Sequence, residues 1–335
     1  MSMETVHKLI DEAYAAVVRG GCVSFAFQGG EPTLAGLDFY KSFADIAKMR
    51  NEKNLRLFLS LQTNGLMIDP SWSQFLREND FLTGISVDGD ALQHDLFRLD
   101  AFGHGTYNRS AAAVNLLQEN EVSVNLLCVV TEKTAGQPKR TYRALKALRC
   151  NYIQLIPCLD PLVPSHITDA SWSLRPEAYG SFLCGVFDLW YKDWQHGQYI
   201  SIRQFEDWMR MSLGLPPDTC ASCGACGSYL VIEADGSIYP CDFYALDEWC
   251  LGTLEKGIPS ALSASRMSEF QRRSTAKPAA CRHCRYWYLC RGGCPRNWNF
   301  AEHGSENQLC AAYRMFFDYA ESRLRAMAFE AVRQI

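Results

Sequence analysis

The stretch CRHCRYWYLCRGGCP, residues 281–295, puts four cysteines into fifteen positions. These are Cys281, Cys284, Cys290 and Cys294; Cys220, Cys223, Cys226, Cys241 and Cys250 precede them and Cys310 follows. Thiolates this closely spaced on short loops can converge on a soft metal centre. Two fillings compete. Zinc takes four thiolates in a tetrahedron, and C-x2-C pairs are common around it. A [4Fe–4S] cluster also takes four cysteines, and the glycines and trailing proline of CRGGCP lean that way. The other five of the fifteen cysteines (Cys22, Cys128, Cys150, Cys158 and Cys184) lie scattered in apolar surroundings. They are expected to be small core residues.

The rest of the composition says where such chemistry operates. The start, MSMETVHKLIDEAY, is charged and amphipathic, without the apolar core of a secretion signal. No apolar run approaches the roughly 18–20 residues that span a bilayer. The cytoplasm is the expected compartment, with no membrane partner, and thiols there stay reduced. A net charge of −4 argues against nucleic acid as a partner. With 48% hydrophobic and 21% charged residues, the 335-residue chain can bury a sizeable core.

The elements that must position the thiols follow from periodicity. Short apolar runs at 22–28, 56–63, 82–88, 123–130 and 151–157 alternate with helical patterns at 36–53, 70–79, 109–120 and 138–149. That alternation predicts α/β architecture with a parallel sheet, closed or partly closed into a barrel. Its chemistry belongs on the loops after the strands, here QGGEPT, TNG and DGD. Further helices are expected at 177–195 and 202–214, a hairpin turning at Asp235-Gly236, and one closing helix over 306–333. Leu309, Tyr313, Phe316, Ala320, Leu324 and Met327 form one stripe of that helix, read as core packing. The domains are expected at 1–200, the partial barrel, and 201–335, the cysteine-rich module with its helix.

Several strings together carry a resemblance. GSIYPCDFY around Cys241, the C-x2-C-x5-C-x3-C run and the distal Cys310 resemble the SPASM auxiliary-cluster module of radical S-adenosylmethionine (SAM) enzymes. FQGGEPTLAGLDFY, LQTNG, GISVDG, RLDAFGHGTYN and IQLIPCLD resemble the barrel of one branch, the anaerobic sulfatase-maturating enzymes. The resemblance implies a partial (β/α)6 TIM-like barrel and SAM as cofactor. It implies two auxiliary [4Fe–4S] clusters, one on Cys220, Cys226, Cys241 and Cys294, the other on Cys281, Cys284, Cys290 and Cys310. Cys223 and Cys250 would not ligate. Gly29, Gly30 and Glu31 would meet the SAM methionine, with backbone groups and a carboxylate receiving its amino group, and Ser86, Arg98 and Leu159 would contact SAM.

Asp242 would be the general base when a sulfatase cysteine or serine is oxidised to formylglycine, with electrons passing to or from an external donor. A carboxylate beside the substrate suits that proton transfer; capping the turn after Pro240 is the plainer role. Another peptide maturase and a non-catalytic iron–sulfur or zinc scaffold are the alternatives. The family's C-x3-C-x2-C motif, which binds the SAM-cleaving cluster, does not occur in these 335 residues. The expectation is a chain lacking the first barrel strand and its ligand loop, unable by itself to cleave SAM.

Overall fold

Six strands pair side by side in chain order, all parallel: β1 (Cys22–Phe27), β2 (Arg56–Thr63), β3 (Phe81–Ser86), β4 (Ser123–Val130), β5 (Tyr152–Pro157) and β6 (Ser201–Ile202). The computed structural model describes residues 1–160, 172–301 and 304–333. Among them, nothing pairs with the outer edge of β1. Five of the strands occupy the predicted runs. The sixth, two residues long, carries no run to recognise.

The helices are α1 (Met3–Ala15), α2 (Leu37–Met49), α3 (Pro70–Glu78), α4 (Tyr107–Glu119), α5 (Pro138–Ala147), α6 (Pro176–Gln195), α7 (Arg203–Ser212), α8 (Ser265–Thr275) and α9 (Cys310–Arg333), with several shorter turns between. Local chemistry explains where they begin. Ser2 caps α1 by accepting from Thr5 N at 3.1 Å, and Asp69 caps α3 by accepting from Trp72 N at 2.9 Å with Pro70 in the first turn. The long helix starts at Cys310, not 306, because Gly304–Asn307 pairs with Trp298–Ala301 as an antiparallel ribbon. Asn307 ends that ribbon: its side-chain oxygen accepts from Leu309 N at 2.9 Å, a local bond that competes with helix.

One continuous core runs from α1 through the sheet to α9. Phe316 is its aromatic centre, 4.7 Å from the Trp208 ring, 5.3 Å from Phe205 and 5.6 Å from Phe187. The predicted α9 stripe is that packing face: Leu309, Phe316, Ala320, Leu324 and Met327 are buried. Of the scattered cysteines, Cys128 and Cys150 are core residues and Cys158 and Cys184 are half-buried. Cys22 is not one: it lies exposed, on the solvent-facing positions of β1.

The cysteine-rich segment has little regular structure. Its sheet joins β7 (Val231–Ile232), β8 (Ser237–Tyr239) and β9 (Gly252–Thr253). The expected hairpin is there: Gly236 has φ +87°, and Asp235 accepts from Ser237 N at 2.9 Å. Phe316→Ala is expected to lower unfolding free energy by about 3–5 kcal/mol, whereas Val332→Ala, on the exposed end of α9, changes it by under ~0.5 kcal/mol. Denaturant titration of both variants checks this.

Candidate active site

The loops at the carboxyl ends of the strands converge. After β1, Gly29 and Gly30 have φ of +93° and +55°, conformations that only glycine adopts freely. A Cβ at either would meet nothing within 4 Å, so the backbone stands open. Glu31 does not. Its Oε1 accepts from Thr33 N at 3.0 Å, Thr33 Oγ1 at 2.5 Å and Thr63 Oγ1 at 2.7 Å, and its Oε2 accepts from Asn64 N at 2.8 Å. The carboxylate expected to receive an amino group is thus occupied in clamping the loop onto the end of β2.

Arg98 is held from beneath. Its Nε and Nη2 donate to Asp88 at 2.5 and 3.3 Å, and Asp88 Oδ1 also accepts from Val129 N at 2.7 Å. Asp88 N donates to His94 Nδ1 at 3.2 Å, so the other ring nitrogen carries the proton toward Thr106 Oγ1 at 3.0 Å. Thr106 in turn donates to Arg98 O at 2.9 Å. Burial draws the His94 pKa below the ordinary histidine value, which suits a neutral ring. Ser86 closes β3 and Leu159 follows β5, both half-buried. Among the described residues the Ser86 hydroxyl has no partner.

Asp242 faces this mouth from the cysteine-rich segment. Gln28 Nε2 donates to its Oδ2 at 3.2 Å and to Tyr229 OH at 3.1 Å, joining the end of β1 to residues more than 200 positions away. Asp242 Oδ1 accepts from Phe243 N at 3.1 Å and from the Cys241 thiol at 3.2 Å. The turn-capping role and a mouth-facing carboxylate therefore coexist.

The thiols fall into two groups. The Cys294 sulfur is within electrostatic reach of Cys220 and Cys226, and Cys241 is within reach of Cys294. Cys290 feels Cys281, Cys310 and Cys284. Burial, reinforced by these neighbours, pushes Cys294 up to about 11 and Cys290 up to about 12. Among the described residues no three His, Cys, Asp or Glu donors crowd around a point that would hold a single ion, as tetrahedral zinc with bonds of about 2.3 Å requires. The glycines of CRGGCP make room beside the thiols. A Cβ on Gly292 would stand 3.7 Å from Cys281 Sγ and 2.9 Å from Lys277 Cδ, and one on Gly293 would stand 2.7 Å from Asn307 Nδ2. Cys223 donates to Thr219 O at 3.4 Å and Cys250 to Gly252 O at 3.5 Å.

Fold and site define a radical SAM protein with an auxiliary-cluster module. Residues 2–145 match the Radical SAM superfamily, and residues 223–285 match SPASM, an iron–sulfur cluster-binding domain. Within that class the chain belongs to the anaerobic sulfatase-maturating enzymes, which are radical SAM oxidoreductases. It is 40% identical to the cysteine-type enzyme of Clostridium novyi, over 91% of this chain and 82% of that one. It is 31% identical to the serine-type enzyme of Klebsiella pneumoniae, over 90% and 75%. The solved structure of native anSMEcpe with bound AdoMet and Kp18Cys peptide superposes with a TM-score of 0.94 at 38% identity, covering 98% of this chain and 91% of that one. Streptococcus suis SuiB bound to S-adenosylmethionine shares the fold alone, at a TM-score of 0.55 and 14% identity over 89% and 66%.

Asp88, His94 and Gln28 escaped the sequence reading. Each is polar and follows a strand or opens a loop, and only the partners folded against it reveal its role. In the unfolded chain His94 takes a proton near pH 6.5, whereas burial lowers that pKa in the folded chain. The unfolded state then binds more protons, so stability is expected to fall as pH drops below about 6.5. Melting temperatures between roughly pH 7.5 and 5.5 check this, and His94→Gln should flatten that part of the dependence.

Proposed function

We propose that this chain is a radical SAM oxidase converting a sulfatase cysteine or serine to formylglycine, in the cytoplasm and with an external electron donor. The observation that carries the reading is the Gln28–Asp242 bond, which sets one carboxylate of the cysteine module against the barrel mouth. When bound, SAM and the iron–sulfur clusters supply radical removal of a Cβ hydrogen and take up the remaining electron. Asp242 Oδ2, oriented by the Gln28 amide, accepts the proton of the target thiol or hydroxyl. From serine these losses give the aldehyde directly; from cysteine they give a thioaldehyde, which water converts to the aldehyde with release of hydrogen sulfide.

The SAM methionine is held by the Gly29–Gly30–Glu31 segment, through its open backbone groups and the carboxylate that Thr63 and Asn64 fix in place. Arg98 offers the cofactor the guanidinium N–H groups that Asp88 leaves free. Ser86 adds a hydroxyl, and Leu159 an apolar contact. Cys220, Cys226, Cys241 and Cys294 hold one auxiliary cluster; Cys281, Cys284, Cys290 and Cys310 hold the other. The nearness of Cys294 to Cys220, Cys226 and Cys241, and of Cys290 to Cys281, Cys284 and Cys310, supports that partition. Identity of 40% with a cysteine-type relative, against 31% with a serine-type one, favours a cysteine target.

Anaerobically reconstituted protein is expected to hold about eight irons. Cys226→Ala and Cys281→Ala should each lose about half of them. Turnover is assayed in protein that carries a C-x3-C-x2-C segment, with SAM, a reductant and a sulfatase-derived cysteine peptide. Hydrazide trapping of the aldehyde is then the readout. Asp242→Asn should cut the yield by roughly a hundredfold or more without loss of iron. Full turnover by Asp242→Asn would remove the assigned base. Formation of 5′-deoxyadenosine by the 335 residues alone would overturn the expectation drawn from the absent motif.

A further inference from the structure

Lys277 lies just beyond α8, between the two groups of thiols. Its Nζ donates to Ser274 O at 2.8 Å. Ser274 is also the residue whose hydroxyl accepts from Cys226 N at 2.9 Å, so the ammonium is anchored where a ligand of the first four is held. The lysine stem reaches the second four. Its Cδ and Cys281 Sγ meet at the bare face of Gly292, 2.9 and 3.7 Å from where a Cβ would stand.

The ammonium rests 4.8 Å from the centre of the Trp298 ring, a favourable cation–π contact. Trp298 is itself fixed by donating from Nε1 to Gly292 O at 2.8 Å. The charge is felt by Cys226 and Cys294 on one side and by Cys281 and Cys290 on the other. Burial draws the lysine below its ordinary pKa, and these thiolates pull it back up.

We propose that the Lys277 ammonium is a shared electrostatic partner of both auxiliary clusters, holding up their two reduction potentials. The inference rests on the iron–sulfur reading above. A cluster ligated by four thiolates carries negative charge that grows with each electron taken up, and net charge around a cluster is one setting of its potential. A fixed cation beside it stabilises the reduced state more than the oxidised one. Placed between two clusters, the same cation serves both, adding a favourable term to the reduction of each. Lys277 is a positioning residue for charge and touches no substrate.

The test uses the full chain, reconstituted anaerobically, as wild type, Lys277→Met and Lys277→Arg. Iron and labile sulfide are measured first, and midpoint potentials follow by redox titration monitored by electron paramagnetic resonance. Iron is expected at the wild-type level in all three. In Lys277→Met both midpoints move to more negative potential; in Lys277→Arg both stay near wild type. Unmoved midpoints in a fully loaded Lys277→Met chain overturn the proposal, as does a shift confined to one cluster. Iron lost from Lys277→Met but kept by Lys277→Arg also overturns it, because the charge then serves cluster assembly and not the potentials. A wild-type chain without iron defeats the iron–sulfur reading itself, and with it this proposal, before any variant is compared.

Discussion

Eight thiols gathered into two groups cannot all ionise in place without a cation among them. Burial holds the neutral form of Cys220, Cys226, Cys281, Cys290 and Cys294, and for all but Cys226 neighbouring thiolates add to that preference. A metal core inverts the balance, because a coordinating thiol gives up its proton outright. The module around them has little else to hold it. Its strands are two or three residues long. Its own apolar clusters are small, one built on Ile238, Leu254 and Met267, the other on Tyr244, Trp249 and Phe270. Metal–thiolate bonds then supply cohesion that the side chains do not, which ties folding of this segment to loading.

The same module is fastened across the barrel at separate points. Glu12 on α1 accepts from Ile258 N at 2.9 Å, and Lys8 pairs with Glu255 at 2.5 Å. Arg296, two residues past Cys294, donates to Asp160 O beyond β5. Gln28 meets Asp242 between these anchors. Attachments on several sides leave the module little freedom to rock, so a carboxylate borne by an irregular loop faces the mouth with the definition usually given by a regular element. Exposed ion pairs contribute little energy each. Their value here is geometric.

Much of this was legible in the lettering, and the reason is periodicity. Long apolar runs such as RLFLSLQT and SVNLLCVV announce strands because burial demands them. Cysteine spacing announces a metal module because few other pressures cluster thiols in a reducing compartment. Ser201–Ile202 was illegible, since two residues make no pattern and only pairing with Tyr152 and Ile153 makes them a strand. Glu31 shows what spacing cannot carry. Its place in Gly-Gly-Glu-Pro says nothing of Thr63 and Asn64, more than thirty residues on, which fix its carboxylate at the end of β2.

Glu31 belongs to a device used three times. Asp88 turns one carboxylate toward Val129 N and the Arg98 guanidinium. Asp207, almost fully buried on α7, accepts from Asp218 N at 2.7 Å, Thr219 N at 3.1 Å and the Thr219 hydroxyl. Thr219 immediately precedes Cys220. In each case a carboxylate withdrawn from solvent is compensated by backbone N–H groups, since a buried charge persists only when its acceptor sites are filled. In each case the segment so fixed carries a group assigned to cofactor: the glycine loop, Arg98, or the first thiol of the module. Loops are the natural place for chemistry but a poor place for precision. Ionic braces to backbone amides give these loops fixed positions without lengthening the helices or strands, and they leave the adjoining glycines, guanidinium and thiol free to meet what binds.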